Sequence, residues 1–225
     1  MLLACNNAGM DSVRIKICGV TRAHDIEAVE AAGAHAVGIN FFSGSSRFIG
    51  SLERAAQLRR EAKVKKLLWA GVFVNASAEE IAAAVQCARL DIVQLHGDET
   101  SDFSRALRAR LGREVQIWKA FPVGAPADLF SIADFDCDAT LLDAKCGSVR
   151  GGSGKSFDWS ILQRLKRTRP LVLAGGLKPE TVAAAVSQVA PDWIDTASGV
   201  ESAPGQKDKG CILQFVQAAS SARTR

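Results

Sequence analysis

The chain has 225 residues, of which 48% are hydrophobic and 23% charged, enough apolar material to bury one sizeable core. A net charge of +4, 6% aromatics and no Tyr leave neither the basic stripe nor the stacking platforms that nucleic-acid binding calls for. No stretch approaches the 18 or so apolar residues of a membrane span, so membrane and nucleic acid both drop out as partners.

The first 13 residues read as a leader. Leu2-Leu3-Ala4-Cys5 has the look of a lipoprotein cleavage box, but no basic leader and no apolar segment precede it, and Met10 is an alternative start. From residue 14 the chain alternates between two periods. Residues 14–19 alternate and stop at Gly19, as a strand does, and 23–32 form a helix ended by Gly33. Residues 36–41 make an apolar strand, and a Ser/Gly loop leads to a helix over 52–62. A strand at 67–74 precedes a helix over 78–88, with Ser77 as its N-cap. Strand 91–96, helix 100–110, strand 115–120 and a short helix over 126–133 follow. Strand 139–142, a long Gly/Ser loop and a helix over 159–166 come next. Strand 171–174, helix 179–189, strand 193–195 and a helix over 209–219 complete the series.

Eight strand–helix pairs in strict alternation imply a parallel sheet with helices outside it. At this length they favour a closed (β/α)₈ TIM barrel over residues 14–220, with 221–225 as a tail; an open doubly wound sheet is the alternative. The outer helices carry no additional apolar face, which points to a monomer. Six Cys, at 5, 18, 87, 137, 146 and 211, form no Cys-x-x-Cys pair, and a chain of this size has no need of a disulfide scaffold. That places the protein in a reducing, cytoplasmic setting. His24, His35 and His96 fall in no zinc-ligand spacing, so no metal is expected.

Barrel chemistry sits where strands end at the C-terminal face. Arg14, Lys16 and Cys18 share one face of the first strand and Ile15 and Ile17 the other. The helices claim the Ile face, so Lys16 and Cys18 point inward. A thiol there is a base if its surroundings favour the thiolate, and otherwise a small buried hydrophobe. Asp143 directly follows Leu141-Leu142; it suits a general acid, or else a helix cap or ion pair. Gln94 and His96 share the inward face of the fourth strand, making His96 a pocket residue or a satisfied structural one. The loops after strands seven and eight carry Gly175-Gly176 and, beyond Asp195, Ser198-Gly199, where barrels often cradle phosphate; plain turn glycines are the competing reading. Arg47, in the loop after strand two, suits a carboxylate or phosphate, or else is a plain surface arginine. Gly151-Gly152-Ser153-Gly154-Lys155-Ser156 imitates a nucleotide loop but has Val149 where that pattern needs Gly; a loop closing over substrate fits it better.

Several stretches together resemble the phosphoribosylanthranilate isomerases of tryptophan biosynthesis. They are Lys16-Ile17-Cys18-Gly19, Gly71-Val72-Phe73-Val74-Asn75, Gln94-Leu95-His96-Gly97-Asp98-Glu99, Leu141-Leu142-Asp143, the segment from Gly151 to Trp159, Leu173-Ala174-Gly175-Gly176-Leu177, and Asp195-Thr196-Ala197-Ser198-Gly199-Val200-Glu201 with Pro204-Gly205 and Lys207-Asp208. The resemblance implies a (β/α)₈ barrel without a cofactor that binds a small phosphorylated substrate. The reaction it implies is an Amadori rearrangement of N-(5-phosphoribosyl)anthranilate. By position it makes Cys18 the general base, Asp143 the general acid and Arg47 the anthranilate clasp. His96, Gly152, Ser153, Gly154, Gly175, Gly176, Asp195, Ser198 and Gly199 fall around the substrate. The chain departs from the family at Ser46, where Pro is common, and at Ala197, where Ser is. Another phosphosugar barrel enzyme, an epimerase or synthase, and a non-catalytic phosphosugar-binding barrel are the rival readings.

Overall fold

Period and punctuation translate directly into elements. The computed structural model describes residues 13–124, 132, 134–143, 159, 162, 165 and 167–222. Strands β1 (Arg14–Cys18), β2 (Ala36–Asn40), β3 (Leu68–Phe73), β4 (Ile92–Leu95), β5 (Gln116–Pro122), β6 (Ala139–Asp143), β7 (Leu171–Ala174) and β8 (Trp193–Thr196) pair in parallel in chain order. β8 returns to β1 with Lys16 opposite Asp195, which closes the barrel. The open-sheet alternative is thereby excluded.

The helices outside are α1 (Ala23–Ala31), α2 (Leu52–Glu61), α3 (Ala78–Ala88), α4 (Ser101–Leu111), α5 (Pro179–Val189) and α6 (Lys209–Ser221). Their starts follow capping chemistry. Ser77 and Glu80 form a reciprocal capping box at α3, and Ser51, Thr100 and Asp208 accept backbone N–H groups at α2, α4 and α6. α6 runs on to Ser221, because apolar Phe215, Val216 and Ala219 keep it against the core one residue into the expected tail. Residues 1–12 of the expected leader, most of the helices at 126–133 and 159–166, and the Gly/Ser loop lie outside the described residues, while Val13, counted with the leader, is buried in the core. No helix among the described residues is long and apolar enough to cross a membrane.

One feature has no signature in the sequence. After β8 a short 3-10 turn (Ser198–Val200) leads into a small antiparallel hairpin, β9 (Glu201–Ala203) with β10 (Gln206–Lys207). Strands of three and two residues are too short to carry a period.

Strand alternation divides the core in two. Ile15, Ile17, Ile39, Trp69, Leu95, Leu142 and Ile194 pack outward against Ile26, Leu58, Ile81, Val182 and Phe215 of the helices. Ala36, Ala70, Ile92, Trp118, Leu141, Val172 and Trp193 fill the barrel. Trp118 and Trp193 meet edge to face at 5.2 Å, and the Arg14 guanidinium lies 4.4 Å from the Trp193 ring, plugging the lower end. Polar side chains therefore have room only in the upper half.

Candidate active site

Above that floor, Lys16 is fully buried, with Nζ donating to Oδ2 of Asp195 at 2.8 Å and to Oε1 of Gln94 at 3.0 Å. Burial alone would lower the Lys16 pKa, but Asp195 and the neighbouring Cys18 outweigh it and hold the value above the ordinary one. Lys16 is thus a permanent cation beneath the site.

One residue further along the inward face of β1 sits Cys18, a free thiol. Burial pushes its pKa up; Lys16 and Lys207 pull the other way and Asp195 adds to the rise. Its thiolate forms only with help from surrounding positive charge.

A cleft of about 430 Å³ brings Cys18 together with Arg47, His96, Asp143, Gly175, Gly176, Asp195 and Ser198. Gly199 stands behind this lining: a Cβ there would lie 1.9 Å from the Leu177 carbonyl oxygen, so the loop after β8 packs flush on the loop after β7. Thr196 Oγ1 donates to that same carbonyl at 2.8 Å, stapling the two loops together. Gly175 and Gly176 both have positive φ, and their N–H groups make no hydrogen bond to protein among the described residues. Gly152, Ser153 and Gly154 lie outside the described residues. A larger apolar groove of about 700 Å³ between α2 and α3 shares Phe42 and Val74 with the cleft but has no thiol, no cation and no glycine cradle. The chemistry belongs to the smaller cleft.

Opposite Cys18, His96 and Asp143 face each other across the rim, Nε2 to Oδ2 at 3.4 Å, with the Asp143 side chain 14% exposed. Gln94 Nε2 lies 2.9 Å from His96 Nδ1. Behind them a buried pair, Lys119 and Glu99 at 2.8 Å, braces the rim, since Glu99 also accepts the N–H groups of Asn75 and Gly97.

Arg47 reaches the cleft held in a fork. Its Nε and Nη2 donate to Oε1 and Oε2 of Glu201 at 2.8 and 2.6 Å, and Lys207 Nζ donates to Oε1 of Glu201 at 2.7 Å. Burial would raise the Glu201 carboxyl, but hydrogen bonds from Arg47 and Lys207 hold it below its ordinary value. Two cations share one anion here, leaving net positive charge beside Cys18. The sequence marks Arg47 but not its partners: Glu201 is 154 positions away, and no local pattern joins Arg47 to it or to Lys207.

Comparison with known proteins gives a consistent picture. A family model described as N-(5′-phosphoribosyl)anthranilate (PRA) isomerase matches residues 15–218. The N-(5′-phosphoribosyl)anthranilate isomerase of Magnetococcus marinus is 42% identical over 212 residues, covering 94% of this chain and 97% of that protein. The crystal structure of phosphoribosyl anthranilate isomerase from Thermotoga maritima superposes with a TM-score of 0.81 at 38% identity, covering 92% of this chain and 98% of that one. A structure of the same enzyme type in complex with reduced 1-(o-carboxyphenylamino)-1-deoxyribulose 5-phosphate gives 0.79 at 34% identity, with 92% and 98% covered.

Proposed function

The chain belongs to the N-(5′-phosphoribosyl)anthranilate isomerase family, and on that premise we propose that Cys18 and Asp143 perform the proton transfers of its reaction. The reaction converts N-(5′-phosphoribosyl)anthranilate into 1-(2-carboxyphenylamino)-1-deoxyribulose 5-phosphate in tryptophan biosynthesis. The observation that carries the assignment is one cleft lined by a thiol from β1, a carboxyl group from β6 and the glycines after β7.

Asp143, protonated, gives its proton to the furanose ring oxygen. The bond from C1 to that oxygen breaks, and the anthranilate nitrogen lone pair forms an iminium at C1. The iminium acidifies the C2 proton, which Cys18 as thiolate removes. The electrons of that bond become the C1–C2 double bond of an enolamine and neutralise the nitrogen. Tautomerisation returns a proton to C1 and leaves a ketone at C2. Each positioned acid or base contributes on the order of 10² to 10⁴ in rate. The rearrangement is redox-neutral, so proton transfers balance it without a cofactor.

Burial holds the Cys18 pKa up, which argues for a base ionised by its setting: Lys16 and Lys207 on the protein side, and the iminium on the substrate side once the ring has opened. The N–H groups of Gly175 and Gly176, with Ser198, suit the phosphate. Arg47 keeps Nη1 for the anthranilate carboxylate while Glu201 occupies Nε and Nη2. A base that must remain a free thiol fits a reducing cytoplasm. Purified protein should consume N-(5′-phosphoribosyl)anthranilate, followed by loss of its fluorescence; absence of turnover at saturating substrate would overturn the reading, and retention of the glycine cradle's phosphate binding without turnover would favour the non-catalytic barrel.

A further inference from the structure

Lys16, Gln94, His96 and Asp143 form a file across the barrel from β1 through β4 to β6, and the donor–acceptor logic along it runs one way. A lysine ammonium only donates. Lys16 Nζ lies 3.0 Å from Gln94 Oε1 and 2.8 Å from Asp195 Oδ2, and Lys16 stays charged through Asp195. Turning the Gln94 amide over would set its NH₂ against that ammonium. Gln94 therefore shows oxygen to Lys16 and Nε2 to His96, 2.9 Å from Nδ1. An amide nitrogen also only donates, so Nδ1 must accept, and the proton of a neutral imidazole is left on Nε2.

We propose that Gln94 is a positioning residue of the isomerisation: its amide N–H confines His96 to the tautomer protonated on Nε2, the nitrogen 3.4 Å from Asp143 Oδ2. The inference rests on the acid role given to Asp143 above. With a proton on Nε2, His96 can only give a hydrogen bond to Asp143. Oδ2 then serves as the acceptor, so His96 cannot draw the acid's proton away from the furanose ring. When that proton has gone to the ring oxygen, the carboxylate left behind draws the Nε2–H closer. A separation of 3.4 Å is long for a hydrogen bond, and such contacts in unliganded sites shorten as charge develops. The opposite tautomer would put a lone pair on Nε2, which would take up the Asp143 proton and withhold it from the substrate. Lys16 thus reaches the acid through two side chains while lying directly under the base.

The test is the protonation state of the imidazole, read independently of turnover. In the ¹⁵N-labelled full chain, long-range proton–nitrogen spectra separate protonated from unprotonated ring nitrogens. The signals of His96 are assigned by their loss in His96→Asn. His35, whose Nδ1 accepts the Ile15 N–H at 3.1 Å, supplies an internal reference for the same tautomer. Wild-type His96 should show an unprotonated Nδ1 and a protonated Nε2. Gln94→Glu offers two acceptors and should put a proton on Nδ1, as the other tautomer or as imidazolium. Either state weakens Asp143 as a proton donor, so kcat should fall about tenfold or more with KM nearly unchanged. Gln94→Met, which keeps the bulk and loses the donor, should let both tautomers appear and lower kcat in the same way; it is read in place of Gln94→Glu if that variant does not fold. A wild-type His96 with its proton on Nδ1, or rapidly averaged, overturns the proposal, and so does a wild-type kcat in a variant whose Nδ1 has become protonated. Wild-type protein that turns over substrate but has the wrong tautomer sinks this inference alone, whereas protein with the expected tautomer and no turnover sinks the functional reading instead.

Discussion

Gly38 stands opposite Cys18 in the β1–β2 ladder, so close that a Cβ built on it would lie 2.7 Å from the sulfur and 3.1 Å from the Cys18 Cα. The space that the thiol occupies is the space that a side chain on β2 would fill. Gly38→Ala should push the sulfur out of its position, because the Cα beneath belongs to a hydrogen-bonded strand and cannot move. A displacement of about 1 Å at a reacting group costs on the order of 10²-fold. The expected result is a fall of that size in kcat/KM with the barrel's circular dichroism retained. Wild-type turnover in Gly38→Ala would mean that the sulfur's position is immaterial.

Removing either proton-transfer group should cost more. Cys18→Ala leaves no base, and Asp143→Asn leaves a side chain of the same shape that cannot give up an acidic proton. Each should lower kcat by roughly 10² to 10⁴ while the denaturation midpoint stays within a few degrees. The two losses should combine less than additively, because they serve consecutive steps of one reaction. Steady-state kinetics on the single and double variants decides this, and turnover near wild type in either single variant would remove that residue from the mechanism.

These positions were legible in the sequence to different depths. Alternation in Arg14-Ile15-Lys16-Ile17-Cys18 is enough to turn Cys18 inward, since the Ile residues must face the helices, and Ile15 and Ile17 are indeed fully buried there. Capping signals placed α3 to the residue. What stayed hidden depends on contacts between distant segments. The fork between Arg47 and Glu201 runs from the loop after β2 to a hairpin too short for any period. Gly38 looks like any strand glycine until the register sets it beside a sulfur. Gln94 could be placed on the inward face with His96, but its orientation is decided by Lys16, 78 positions away.

The pH dependence follows from burial of the thiol. Cys18 has its pKa pushed up by desolvation, with Lys16 and then Lys207 opposing. A base must be deprotonated to act, so kcat/KM should rise with pH through the neutral range and keep rising until it passes a raised thiol value. Lys207→Met removes one of the opposing cations, so the rising limb should move to higher pH still, while Lys207→Arg should restore it. Alkylation of Cys18 by iodoacetamide, followed by mass spectrometry of its peptide, should track the same limb. A limb that stays in place in Lys207→Met would show that this cation has no hold on the thiol.

Glu201 links the substrate clasp to stability. Its side chain is 4% exposed and answers both Arg47 and Lys207, the latter wholly buried. Glu201→Gln would leave two cations with no anion between them, a change worth about 3 to 5 kcal/mol when a buried pair is broken on one side. The sign with pH follows from the carboxyl being held below its ordinary value in the folded chain. Stability from this cluster is complete above the unfolded glutamate value, about 4.3, and is lost as pH falls through the lower folded value. Urea midpoints should therefore separate wild type from Glu201→Gln widely at about pH 7 and draw together in acid. Kinetically, the variant frees Arg47 from its fork, so KM should rise about tenfold while kcat changes little, the mark of lost binding that is uniform between substrate and transition state. Arg47→Ala should show the same split more strongly, since it removes the guanidinium altogether. If KM is unchanged in both variants, Arg47 does not meet the carboxylate, and the fork with Glu201 is an internal strut of the barrel's upper face.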